Sequence, residues 1–216
     1  MEIPNDRVIG LSTDDLPGAI AAHVEDGYRL LMIKPADDPT FALMTDDVLF
    51  VGIHERRGPV TTKKGVVNSF ADSPIPGEWH NGRAGMMYRD LIPGRIGGKV
   101  IASHIKLLED GPVADYVHYH KVEFQMIYCL KGRIEVVYED QGPPFWLEPG
   151  DCVVQPPEIR HRVLFAEGNG EVLELTMPAE HETWIDHELT LPNDTIDTTR
   201  LFNGQPFVFT KAPKSN

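Results

Sequence analysis

His118 and His120 stand at i and i+2 in Tyr116–His120, so on a strand both imidazoles leave the same face. Gln125 follows at the start of the next apolar run. His161 opens another strand after the closing pair Pro156-Pro157. Imidazole is the commonest protein ligand for Zn, Fe, Ni and Cu. Three of them, delivered by neighbouring strands, can meet at one face of a metal ion and leave its other positions open. Further residues with reactive or binding character lie just upstream. His104 sits in Val100–His104, and faces inward if that strand turns Val100, Ala102 and His104 to the interior. The stretch Gly82–Asp90 brings Arg83, Tyr88 and Arg89 together. Arg83 or Arg89 could grip a substrate carboxylate with a bidentate fork, or Arg89 could simply pair with Asp90 or contact a second subunit.

Strands must position these groups. From residue 85 onward short apolar runs follow one another: Lys99–Leu108, Tyr116–His120, Gln125–Leu130, Arg133–Glu139, Phe145–Leu147, Asp151–Gln155, Arg160–Phe165 and Glu171–Met177. Gly, Pro and Asn turn signals separate them, which predicts an all-β sandwich or barrel. Before it, a helix over Ala19–Val24, capped by Thr13 or Asp14, precedes strands at Tyr28–Ile33 and Val48–Ile53. Residues 57–82 read as a long connection or arm. The tail from Glu180 to His187 holds several metal-type ligands, yet its acidic, mixed composition reads as a solvated packing helix or arm.

The spacing Gly111-x6-His118-x-His120-x4-Gln125-x6-Gly132 resembles the first motif of the cupin superfamily. The run Pro149-Gly150-Asp151, continued by Pro156-x-Glu158-x-x-His161, resembles the second. The likeness implies a double-stranded β-helix, or jelly-roll, barrel over residues 85–180. Residues 1–84 would then be an N-terminal α+β extension and residues 181–216 a short C-terminal arm. It also implies one divalent metal ion per subunit, held by His118, His120 and His161, with Gln125 where the family has a glutamate. Fe2+ is the first expectation, with Zn2+, Mn2+ or Ni2+ as alternatives. A neutral amide in place of a carboxylate leaves the ion with more net positive charge and favours an anionic or bidentate oxygen substrate. Glu123, two residues before Gln125, is the candidate replacement ligand or proton acceptor. Ile127, Val136, Val154, Val163 and Phe165 are expected to line the pocket. Cys129 reads as a small buried apolar residue.

Composition narrows the partners. The 216 residues carry 20 Lys and Arg against 33 Asp and Glu, a net charge of −13 without any basic cluster. Such a field repels phosphate backbones and anionic lipid surfaces, so nucleic acid and membrane are not expected partners. Only two cysteines occur, Cys129 and Cys152, and the first ten residues lack a secretory pattern, so the expected compartment is the cytoplasm. No nucleophile elbow or nucleotide-binding glycine pattern is present. The leading expectation is a mononuclear Fe(II) dioxygenase acting on a small oxygenated acid or phenol bound by chelation. A non-redox lyase or isomerase, or a non-catalytic small-molecule-binding barrel, are the alternatives. Cupins commonly exchange strands, so the resemblance further implies a homodimer.

Overall fold

The computed structural model describes residues 8–57, 79–92 and 94–213. Most of the expected arm at residues 57–82 lies outside them. Among the described residues, no helix is long and apolar enough to cross a membrane.

Two long strands build the barrel. β-branched and aromatic residues fill the runs that the sequence divides at Lys131-Gly132 and at Gly168-Asn169-Gly170. The chain passes both breakers without leaving the sheet, giving one strand at Phe124–Tyr138 and another at His161–Met177. They run antiparallel along their length, with register shifts between Cys129 and Lys131, Lys131 and Arg133, and Glu135 and Val136. Bulges of this kind bend a strand and sharpen its twist, so each long strand serves both faces of the barrel. Gly132 makes one of these bends. Its φ is +64°, and a Cβ there would meet the Glu167 carbonyl oxygen at 2.5 Å.

The remaining strands are numbered along the chain. The extension contributes β1 (Val8–Thr13), β2 (Arg29–Lys34), β3 (Phe41–Thr45) and β4 (Phe50–Glu55). The two-residue β5 (His80–Asn81) and then β6 (Met86–Asp90) lead into β7 (Ile101–Leu107), β8 (Gly111–Pro112) and β9 (His118–Lys121). The long strands are β10 and β13, with β11 (Phe145–Leu147) and β12 (Cys152–Val154) between them. β14 (Glu182–Ile185) and β15 (Val208–Thr210) complete the set. β10 pairs with β11, β12 and β13, while β13 also pairs with β7, β8 and β9. The core inside comprises Ile105, Cys129, Ile134, Val136, Tyr138, Leu147, Val153 and Ile159, each 5% exposed or less.

In the extension, α1 (Leu16–Glu25) covers β2, β3 and β4 through Leu16, which packs with Ile33, Ala42, Met44 and Ile53. Its cap is Asp15, whose carboxylate accepts from Gly18 N at 3.0 Å, with Pro17 in the first turn. The two residues expected in that role are used otherwise. Thr13 Oγ1 accepts from Asp15 N, and Asp14 pairs with Arg56.

The tail departs most from expectation. Residues 182–185 are neither helix nor solvated arm, because β14 lies between β2 of the extension and β9 of the barrel. Thr183 and Trp184 are a β-branched and an aromatic residue at adjacent positions, both buried, and they suit a central strand. Extension and barrel thereby share one continuous 15-stranded sheet. Further on, Phe202 joins the barrel core and β15 pairs with β12.

The Gly132 bend gives a direct check. Gly132→Ala is expected to lower stability by about 2 kcal/mol or more, from left-handed strain plus the backbone clash, read as a shifted denaturation midpoint.

Candidate metal centre

Pairing across three strands brings the histidines together. His118 and His161 are direct partners between β9 and β13, and His120 faces Thr183 between β9 and β14. One ligand nitrogen from each of His118, His120 and His161 lies within 4.8 Å of the other two, and all three residues are buried. Ring centroids are separated by 4.3 Å for His118–His161, 5.0 Å for His118–His120 and 5.2 Å for His120–His161.

The opposite ring nitrogens are fixed by oxygen atoms. His118 Nδ1 lies 2.8 Å from Tyr116 O, and His161 Nδ1 lies 3.0 Å from Ile159 O. A carbonyl only accepts, so Nδ1 carries the proton in both rings and Nε2 keeps its lone pair. His120 Nδ1 lies 2.8 Å from the Thr183 hydroxyl, which can accept from the ring or donate to it. His118 Nε2 is buried with no partner among the described residues. Burial holds His118 and His120 well below the usual histidine range and takes His161 to about 4. Neutral rings with converging nitrogens are the donor set a divalent ion requires. The residues present therefore fit a metal.

Gln125 is buried beside them. Its Oε1 accepts from Gln155 Nε2 at 2.7 Å, while its own Nε2 is unpartnered among the described residues. His120, Gln125 and His161 line a cavity of about 50 Å³. Apolar side chains make the rest of the wall, among them Met86, Ile105, Leu107, Ile127, Val136 and Val163. Two expected lining residues are absent from it. The register shift after Glu135 turns Phe165 outward against Trp146, and on β12 the inward residue is Val153, not Val154.

The other candidate residues divide. Arg83 and Tyr88 both line the cavity. Arg83 pairs with the fully buried Asp115, whose other oxygen accepts from Val163 N at 2.9 Å. Asp115 Oδ1 also lies 3.8 Å from His118 Nδ1. Tyr88 is buried, and burial pushes its phenol up, so it stays a neutral hydroxyl. His104 does not reach the cavity. The condition for its inward parity fails on β7, with Ile105 and Leu107 inward and His104 outward against Glu171, Arg89 and Trp79. Arg89 is spent on the same outer cluster. Glu123 is exposed between β9 and β10, where its backbone is what the described residues engage, so it neither replaces Gln125 nor acts as an interior base.

Three further groups emerge. Glu174 lines the cavity from β13. Its Oε1 accepts from Thr176 at 3.0 Å, and Oε2 has no partner among the described residues. An isolated Glu among Val172, Leu173 and Leu175 is the signal that marks it in the sequence. His181, placed with the solvated tail, is in fact buried. Its Nδ1 lies 3.1 Å from Pro178 O, and its ring is 5.3 Å from that of His120. Gln155, just past the end of β12, is buried against both Gln125 and His161.

An all-β barrel with three converging imidazoles buried at one end defines a metal-binding cupin domain. In keeping with that, residues 105–177 match the Cupin_2 family, described as a cupin domain. Among solved structures, KdgF from Halomonas sp. is 22% identical over 47% of this chain and 86% of its own, with a TM-score of 0.39. An RmlC-like cupin from Shewanella frigidimarina is 23% identical over 51% and 88%, with a TM-score of 0.40. Oxalate decarboxylase from Bacillus subtilis is 20% identical over 56% and 32%, with a TM-score of 0.39. Likeness at that level carries no argument about chemistry. Comparison with curated protein sequences gives no match.

Buried neutral histidines make the metal-free fold acid-sensitive. The unfolded chain takes up protons near pH 6.5 that the folded rings refuse, so stability is full above that value and falls as pH drops toward about 4 for His161. Denaturant midpoints at about pH 7.5 and about pH 5 should differ less in His161→Gln than in wild type. An equal difference would place the acid sensitivity elsewhere.

Proposed function

We propose that the protein is a cupin metalloenzyme, an Fe(II) dioxygenase acting on a small, anionic oxygenated acid or phenol. The observation that carries this reading is the buried, converging set of His118, His120 and His161, two of which line a cavity whose wall is mostly apolar. An Fe2+ ion held by His118, His120 and His161 would supply polarisation of a chelating oxygen and reactivity toward dioxygen.

The chain's own groups have distinct tasks. Arg83 binds the substrate carboxylate with the part of its guanidinium not given to Asp115. Glu174 Oε2 takes the proton from the substrate hydroxyl as it becomes the chelating oxygen. Tyr88 donates a hydrogen bond from its neutral phenol. The apolar wall admits a small organic body and excludes bulk water, which strengthens each polar contact at the far end.

A second reading is favoured by Glu174 itself. A free carboxylate inside the cavity can carry a proton from one substrate atom to another, which suits a non-redox lyase or isomerase with Zn2+, Mn2+ or Ni2+ as Lewis acid. Oxygen uptake with panels of hydroxy acids and phenols separates the two. The Fe2+-loaded protein should consume oxygen and the Zn2+-loaded protein should not; equal anaerobic turnover with Zn2+ would favour the second reading. Glu174→Gln should retain the metal but lose about 100-fold or more in kcat. His161→Ala should lose the metal itself.

The assembly belongs to the same proposal: a homodimer, with a second copy of the chain as partner. Light scattering at micromolar concentration should return twice the chain mass, and a monomer mass would overturn it.

A further inference from the structure

Behind the histidines lies a hydrogen-bonded row of three side chains. Tyr138 Oη donates to Gln155 Oε1 at 2.9 Å, and Gln155 Nε2 donates to Gln125 Oε1 at 2.7 Å. The second hydrogen on Gln155 Nε2 faces His161 Nε2 at 3.4 Å. All three members of the row are 2% exposed or less. The backbones fix their spacing as well, since Gln155 N donates to Gln125 O at 3.1 Å.

In this polarity the row opposes a cation. The Gln155 NH2 group occupies both the Gln125 oxygen and the His161 lone pair, and it leaves the Gln125 NH2 group unpartnered toward the cavity. A half-turn of both amides gives the reverse row at the same heavy-atom positions. Gln155 Nε2 then donates to the Tyr138 oxygen, because a phenol accepts as well as donates. Gln125 Nε2 donates to Gln155 Oε1, and Gln125 Oε1 turns to the cavity. His161 Nε2 no longer faces a donor.

We propose that Gln155 is a positioning residue whose amide orientation decides, in a single turn, whether Gln125 and His161 both offer lone pairs to a metal ion. Resting on the metal-centre reading, this goes one step beyond it: the fourth ligand and the third histidine are released together. Gln125 is a ligand in the reversed row and a hydrogen-bond donor to the cavity in the other. Burial drives the all-or-none character, since a mixed row sets two amide oxygens or two NH2 groups against each other where water cannot intervene.

The test uses Zn2+ alone as probe, on the full-length protein. In wild type, side-chain amide NMR signals of Gln155 and Gln125 should both shift on adding one equivalent of Zn2+. Calorimetric Zn2+ affinity then distinguishes orientation from charge. Ionised Gln155→Glu only accepts, so it holds Gln125 with its oxygen inward, but it also adds a negative charge. Measured with and without Gln125→Leu, the gain from Gln155→Glu should be about 10-fold larger where Gln125 is present. Equal gains in both backgrounds, or a Gln155 amide signal unmoved by stoichiometric Zn2+, would overturn the proposal and leave the metal centre intact. Absence of Zn2+ binding would overturn both. The wild-type spectrum decides the matter even if a variant fails to fold.

Discussion

The site depends on the three oxygen atoms that hold its histidine rings. Tyr116 O, Ile159 O and Thr183 Oγ1 each sit within 3.0 Å of a histidine Nδ1, and those contacts aim the opposite nitrogens at one point. None of the three oxygens belongs to a residue whose type announces a metal site. Two are backbone carbonyls two residues before the histidine they hold, so the local path of the chain into β9 and β13 sets the ring orientation. The third comes from β14, and the strand pairing of the whole molecule delivers it. Burial then keeps the rings neutral, which would be costly for charged groups but suits lone-pair donors.

Charge around the cluster is balanced at short range. Asp115 is buried without exposed surface, and it ties Arg83, the Val163 amide and the Tyr116 amide into the region beside His118. A buried carboxylate is tolerated because every contact it makes is with a donor. Arg83 lines the cavity from residues before the barrel, so the extension contributes to the cavity wall. The chain as a whole is strongly acidic, yet the cavity end combines a cation-binding cluster with a guanidinium. Against that stand the Asp115 carboxylate paired with Arg83 and the Glu174 carboxylate in the cavity wall.

Much of this was legible in the sequence. The glycine and proline punctuation predicted a sandwich or barrel and the i, i+2 histidine pair follows from spacing along one strand, whereas joining His161 to that pair rested on the likeness to the cupin motifs. Parity was harder. Val154 and Phe165 were expected on the wrong face and the face of His104 was left open, since a one-residue change of register reverses every side chain downstream and a bulge leaves no mark in composition. The two long strands looked like four, because a glycine at a bend has the same signature as a glycine in a turn. Glu174, Gln155 and His181 lay outside the expected site because their roles arise from pairings between distant segments. Glu123 was chosen because it would share the strand parity of Gln125, but the strand begins at Phe124 and Glu123 sits exposed at its entrance.

β14 changes what counts as the working unit of this protein. It is hydrogen-bonded to the extension on one edge and to β9 on the other, and its Thr183 holds His120. The matched family segment ends at residue 177, short of that strand. A barrel excised at the family boundary would keep all three imidazoles and lose the rivet that aims one of them. Modularity here stops at the level of the whole chain: the portable part is a scaffold, and the coordination chemistry is a property of how its two ends are stitched together.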